Sequence, residues 1–298
     1  MSRNLKYQFL QAINNSFSES VDKHSEKSNG IRNTDKIYSY SSRSNLINLS
    51  ANFSNFMKEH FPEVRMVKEV CPHHIQEFLV SKANHCSQAT LTQYCNLFYK
   101  LEKCVNKKYH CTVDYHHIIT PISAKNGGAK IRNTMLSAKD YNTILQNTTN
   151  HNLIKALVLS YTFGLRASEC AKIKYEDIKS DCICVIHSKG KRSRFIYAEN
   201  EKEKKILQFF QQSKQGRICP IMHESLEQAF RREVKKNNIN IKNGAFHTSR
   251  KAYATRKYKE YRSKGLSISE SISRVSVNLG HSANRHELMK EYICCPLT

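Results

Sequence analysis

Apolar residues recur at helical spacing through most of the chain. Leu46, Leu49, Phe53, Phe56 and Met57 fall on one helical face. Pro72 opens a shorter helix with Ile75, Phe78 and Leu79 turned inward. Ser87 is the expected N-cap of a longer helix whose inner face is Leu91, Tyr94, Phe98, Leu101 and Val105, with Lys100, Lys103, Lys107 and Lys108 around the stripe. These signals predict a small all-helical domain over 39–118. Residues 1–38 are polar, basic and rich in Ser and Asn, with no sustained apolar period, and read as a flexible or weakly helical arm.

The pattern breaks over 119–136. The stretch PISAKNGGAKIRNTM combines Pro, Gly-Gly and the cations Lys125, Lys130 and Arg132, and reads as an interdomain linker. A second domain is expected over 137–298. Ser137 and Asp140 form a cap-like pair ahead of a helix, and Leu153 to Phe163 is an almost wholly apolar helix. ICVIHSKGKRSRFIYA has β-rich flanks around Lys189-Gly190-Lys191 and predicts a hairpin. Helical stretches follow over 200–212, 222–237, 248–263 and 268–279, and a short terminal helix is expected to hold Tyr292. The expected fold class is mainly α: two helical domains, the second with a small antiparallel sheet.

Composition narrows the function. The 298 residues are 39% hydrophobic and 24% charged, enough for two soluble domains. No run of about 18 apolar residues predicts a membrane span. Lys plus Arg number 48 against 25 acidic residues, a formal charge of +23. Such self-repulsion suits a polyanionic partner, and nucleic acid is the commonest, ahead of a ribosomal association or an anionic membrane surface. The basic linker then reads equally as a segment that tracks a DNA backbone or as a solvated loop. The eleven cysteines are odd in number and irregularly spaced, and the N-terminus MSRNLKYQFLQ is not an apolar signal segment. Cys182 and Cys184, or adjacent Cys294 and Cys295, fit no zinc spacing. Cys71, His73, His74, His85 and Cys86 are better read as ordinary residues of a reducing cytoplasm than as a metal cluster.

The chemistry lies in cations and histidines at the ends of elements. Arg166 follows Gly164 at the close of the apolar helix, with Glu169 three residues on to hold its guanidinium. Lys189 sits at the hairpin turn. His247 and Arg250, in FHTSR, share one face of a helix start. His281 follows a Leu-Gly turn, and Tyr292 is the one tyrosine after it. Taken singly, each has a plain structural alternative: an Arg–Glu pair, an exposed turn lysine, a solvent-facing pair, a half-buried tyrosine. Together, two Arg, two His, one Lys and a Tyr are the set that metal-free phosphoryl transfer needs. Guanidiniums grip non-bridging oxygens, a lysine protonates a leaving 5′-oxygen, imidazoles bond the phosphate or handle the tyrosine proton, and tyrosine forms a covalent phosphotyrosine.

The ordered series GLRASE, SKGK in a hairpin, HTSR, LGHS and a terminal Tyr resembles the tyrosine recombinases, the phage and transposon integrase family. The resemblance covers about 137–292 and extends more weakly to 39–118, which is similar to the family's DNA-clamping core-binding domain. It implies Arg166 and Arg250 as phosphate-gripping arginines, Lys189 as leaving-group acid with Lys191 its competitor, His247 and His281 as the paired histidines, and Tyr292 as nucleophile. It also implies the family's DNA breaking-rejoining fold: a helical catalytic domain with a small antiparallel sheet, joined to the helical domain as a C-shaped clamp on DNA. The implied partners are double-stranded DNA, a homotetramer on two DNA sites, and an accessory directionality factor, without metal or cofactor. Three departures stand out. Ser249 replaces a common Leu, the spacing from His281 to Tyr292 is slightly long, and only ICCPLT follows the tyrosine, where many relatives dock a longer tail on the neighbouring subunit. The alternatives are a type IB topoisomerase-like enzyme, sharing this chemistry on a single duplex, and a non-catalytic DNA-binding clamp. A metal-dependent transposase is disfavoured because it needs a carboxylate cluster. The basic arm is a candidate contact for DNA or a partner.

Overall fold

The structure is a computed structural model that describes residues 4–19, 21, 23–31, 34–125, 134–186, 193–211, 215–241 and 245–297. The chain divides into two compact units, residues 1–130 and 131–298. The hairpin tip with Lys189 and Lys191 lies outside the described residues, as do Lys130 and Arg132 of the expected linker.

The first unit contains α1 (Leu5–Asn15), α2 (Lys23–Ser28), α3 (Tyr40–His60), α4 (Pro72–Ala83) and α5 (Gln88–Tyr109). Ser39 and Ser87 cap α3 and α5 by accepting from the backbone N–H three residues on, and Pro72 stands at the first position of α4. Phe53 is the hub of the core, with the Phe78 and Phe98 rings edge-on at 5.4 and 5.1 Å and Phe9 at 6.1 Å.

Phe9 comes from the segment that the sequence reads as an arm. The structure differs there: α1 buries Leu5, Phe9, Ala12 and Ile13 against α3 and α5. The stripe spans only three turns and is crossed by Gln8, which hides it in a polar composition. Gln8 is itself buried, donating to the Arg65 carbonyl (2.8 Å) and accepting from Val67 N–H (3.1 Å).

The second unit runs α6 (Ala138–Asn147), α7 (His151–Phe163), α8 (Ala167–Cys170), β1 (Cys182–Val185), β2 (Arg194–Tyr197), α9 (Glu201–Phe210), α10 (His223–Lys236), α11 (His247–Ser263), α12 (Ile268–Asn278) and α13 (His286–Met289). Ser137 caps α6, accepting from Asp140 N–H. β1 and β2 pair antiparallel, Cys182 opposite Tyr197 and Val185 opposite Arg194. Among the described residues no helix is long and apolar enough to cross a membrane, and all eleven cysteines are free thiols.

The most buried helix is α11, packed against α7 and α12, although its sequence HTSRKAYATRKYKEYRS is polar. Several of its polar groups have individual partners. Ser249 shares a 2.6 Å hydrogen bond with Ser160 of α7, and Thr255 Oγ1 accepts from Cys294 N–H. Lys257, 1% exposed, pairs with Glu203 (2.9 Å), Glu199 (3.1 Å) and Glu260 (3.2 Å). A buried charge is tolerable only with such pairing. The terminal helix differs from expectation by one turn: α13 ends at Met289, and Tyr292 sits in the following turn, its N–H bonded to the Met289 carbonyl (2.9 Å).

Candidate active site

Two helix C-termini and one helix N-terminus deliver the polar side chains. Helix α7 ends on Gly164, left-handed at φ 69°. A Cβ there would lie 2.5 Å from Tyr253 Cδ1, so conformation and space both require glycine. Leu165 is then buried, and Arg166 emerges as the N-cap of α8. Helix α12 ends with Gly280 N–H on the Val277 carbonyl and His281 N–H on the Ser276 carbonyl, the Schellman arrangement that turns His281 back toward the site. His247 opens α11, and Arg250 follows one turn later.

Glu169 organises these groups. Its Oε1 accepts from Arg166 Nη1 (2.7 Å), and its Oε2 accepts from Arg166 N–H (2.9 Å). Arg194 of β2 takes the same carboxylate with both terminal nitrogens, each at 2.9 Å. Arg250 Nη1 lies 3.8 Å from Oε2. Arg250 is completely buried, donating Nη1 to the Gly164 carbonyl and Nη2 to the Leu279 carbonyl. Its Nε–H has no partner among the described residues. Burial first, then the nearby Arg166, lowers its pKa to about 10, so it remains cationic at neutral pH.

Arg166 Nη2 also donates to His281 Nε2 at 3.2 Å. A guanidinium cannot accept, so this nitrogen is the acceptor and the ring proton sits on Nδ1. The pKa of His281 falls to about 4, through burial first and then Arg166, Arg250, Arg194 and Arg285. His247 is exposed toward the cavity, yet enough protein surrounds it that desolvation leads the lowering of its pKa to about 4, followed by Arg250, Lys251, Arg166 and His281. Both imidazoles are therefore neutral at pH 7.

Tyr292 is 8% exposed and packs in a core with Tyr253, Val275, Leu279 and Ile293. Its ring meets His247 edge-on at 5.0 Å and His281 at 5.7 Å, and the Arg250 guanidinium carbon lies 5.7 Å from its centroid. Among the described residues no group hydrogen-bonds its hydroxyl. A cavity of about 220 Å³ is lined by His247 and Arg250, which approach the Tyr292 ring, and by Arg166, with Ser168, Phe246, His223 and Glu227 also in its wall. The structure thus brings Arg166, His247, Arg250, His281 and Tyr292 together within the second unit; Lys189 lies outside the described residues. Sequence reasoning missed Arg194, which in RSRFIY looks like any strand-edge cation, and His223, which opens an ordinary amphipathic helix.

Residues 134–263 match the model of the Phage integrase family, a match that ends before His281 and Tyr292. No curated protein matches the chain. Among solved structures, the chain is similar to the XerH site-specific recombinase in a post-cleavage complex with palindromic difH substrate (TM-score 0.62, 14% identity, 98% of this chain and 93% of that one). It is likewise similar to a lambda integrase tetramer bound to a Holliday junction (TM-score 0.62, 18% identity, 95% and 80%). A third likeness is to the Tn1549 transposon integrase with transposon right-end DNA (TM-score 0.58, 12% identity, 97% and 94%). At these identities the likeness is one of fold.

Proposed function

We propose that the chain, whose residues 134–263 match the Phage integrase family model, is a tyrosine recombinase: a site-specific DNA recombinase that cleaves and rejoins DNA through Tyr292, for integration or excision of a mobile element. One observation carries this reading: the Tyr292 ring meets Arg250, His247 and His281, Arg166 bonds His281, and Arg166, His247 and Arg250 line one cavity, all in one unit.

In the proposed step the Tyr292 hydroxyl oxygen attacks the scissile phosphorus. The tyrosyl O–P bond forms and the P–O5′ bond breaks, leaving a 3′-phosphotyrosine and a 5′-hydroxyl. The phenolic proton passes to a neutral imidazole, His247 or His281, which pKa values near 4 leave free to accept it. Lys189, by the family resemblance, supplies the proton of the leaving 5′-oxygen. Arg166 and Arg250 hold the non-bridging oxygens, and the unspent Nε–H of Arg250 is a donor that the substrate complex can use. Such preorganised donors are worth about 10²–10³ in rate each. Rejoining reverses the step with a new 5′-hydroxyl, so one phosphate ester replaces another and neither ATP nor a metal ion is needed. Tyr292 lies against Arg250, His247 and His281 of its own unit, which supports attack in cis.

The partner is double-stranded DNA, suited to the charge of +23, and the first unit adds backbone contacts. By analogy with the lambda integrase complex, four copies assemble on two sites. Because transesterification is nearly isoenergetic, direction must come from outside the chain, which is the place for an accessory directionality factor. The protein acts in the cytoplasm on nucleoid DNA. The test is covalent capture: the protein is incubated with sheared DNA of the organism that carries the gene, denatured, and the retained fragments sequenced. A recurrent site should be retained in excess EDTA and lost with Tyr292→Phe, while affinity for that site stays within about twofold. Adduct formation by Tyr292→Phe, or adducts that require a divalent ion, would overturn the reading.

A further inference from the structure

Arg194 is absent from the chemistry described so far, yet its three side-chain nitrogens Nε, Nη1 and Nη2 are all bonded at the edge of the site. Both its terminal nitrogens bind the Glu169 carboxylate at 2.9 Å, its Nε donates to the Asn278 carbonyl at 3.0 Å, and its side chain is 10% exposed. It passes so close to Gly280 that a Cβ there would lie 3.1 Å from its Nη1. Three guanidiniums converge on one carboxylate, and Arg194 takes the two-point share. Arg166 shares the same carboxylate through Nη1, and its Nη2 is directed to His281. Arg194 also bonds the last residue of α12, two residues before the Gly280–His281 turn.

We propose that Arg194 is a positioning residue: it fixes the Glu169 carboxylate and the end of α12, so that Arg166 and His281 stand in register for the phosphate without Arg194 touching substrate. This rests on the reading of the site as a strand-transfer centre. Lysine at this position keeps the charge but cannot span both carboxylate oxygens and a carbonyl at once. The planar fork is therefore the working feature, and a misplacement of Arg166 by an ångström suffices to slow the chemistry.

The test compares R194K with the wild type on a nicked suicide duplex carrying the captured site. Single-turnover adduct formation at saturating DNA should fall about tenfold or more, while half-saturation moves less than about threefold. In an E169Q background R194K should cost less than about twofold further, because the two residues act as one unit. Unchanged cleavage by R194K would overturn the proposal. So would a loss confined to affinity, the sign of a direct phosphate contact, or a full additional loss on top of E169Q, the sign of action elsewhere or of simple unfolding.

A second measurement needs no catalysis. His281 is faced by Arg166 from the start of α8, Arg194 from β2, Arg250 and His247 from α11, Arg285 before α13, and Tyr292. In R194Q, with the Arg194 charge removed and Arg166 released, the His281 midpoint followed by NMR on the full chain should move upward. An unmoved midpoint would overturn the positioning role. Absence of any adduct with wild-type protein would instead count against the recombinase reading and leave this measurement to decide on Arg194.

Discussion

Gly164→Ala joins fold to chemistry at a single atom. The residue sits at φ 69° at the end of α7, where a Cβ costs about 1 kcal/mol in backbone conformation alone. The new methyl would stand 2.5 and 2.8 Å from Tyr253 Cδ1 and Cε1 and 3.1 Å from Leu279 Cδ2. Tyr253 is 1% exposed and packed in the core that also holds Tyr292, so relieving the overlap costs a further 1–3 kcal/mol, roughly. A loss of about 3 kcal/mol lowers Tm by about 9 °C for a unit of this size. The Gly164 carbonyl also accepts from Arg250, and the Leu279 carbonyl holds the other terminal nitrogen. The same displacement therefore moves both anchors of the buried arginine. Well below its Tm, with the protein still folded by circular dichroism, G164A should form adduct at least about tenfold more slowly at saturating DNA. Urea unfolding and single-turnover cleavage measure the two effects. A variant within about 0.5 kcal/mol of wild type and fully active would refute both the steric argument and the anchoring of Arg250.

The two histidines give a pH prediction. With folded pKa values near 4 against an unfolded value near 6.5, the unfolded chain takes up protons first as pH falls. Their contribution to stability is complete above about pH 6.5 and is lost down to about pH 4, so the urea midpoint should fall across that window and His281→Gln should blunt the fall. Cleavage per encounter should be flat from pH 8 to about 5 and drop below; a midpoint near 6.5 would contradict the neutral assignment. Lys257→Met leaves Glu203, 4% exposed, without its counter-ion and should cost about 3–5 kcal/mol in urea unfolding, whereas wild-type stability would contradict the pairing. Deleting residues 2–17 removes the four buried apolar side chains of α1 from the first unit and should make it protease-sensitive; an equally resistant unit would show that α1 is dispensable.

The two-helix pattern of α3 and α5, the caps at Ser87 and Ser137, and the glycine turns before Arg166 and His281 were all legible, because each is a local rule written in adjacent residues. The residues that the structure gathers at the candidate site, Arg166, His247, Arg250, His281 and Tyr292, were singled out by their order along the chain. What stayed hidden is non-local. The burial of helix α11, though not its existence, was hidden: it has no amphipathic period, since it is buried on most sides and bonds polar groups to partners as distant as Leu279 for Arg250 and Tyr161 for Arg256. Arg194 reveals itself only when β2 meets Glu169, 25 residues earlier. Helix α1 was obscured by Gln8, a polar residue placed inside by two backbone hydrogen bonds.

The most direct measurement is the identity of the residue bonded to DNA. Adduct formed on the captured site, digested with nuclease and trypsin, should carry its nucleotide on the peptide 291–298 with the mass on Tyr292, joined through a 3′-phosphate and leaving a 5′-hydroxyl on the partner strand. A nucleotide on any other tyrosine, or a 5′-phosphate linkage, would contradict the convergence of Arg166, Arg250 and His281 on this nucleophile.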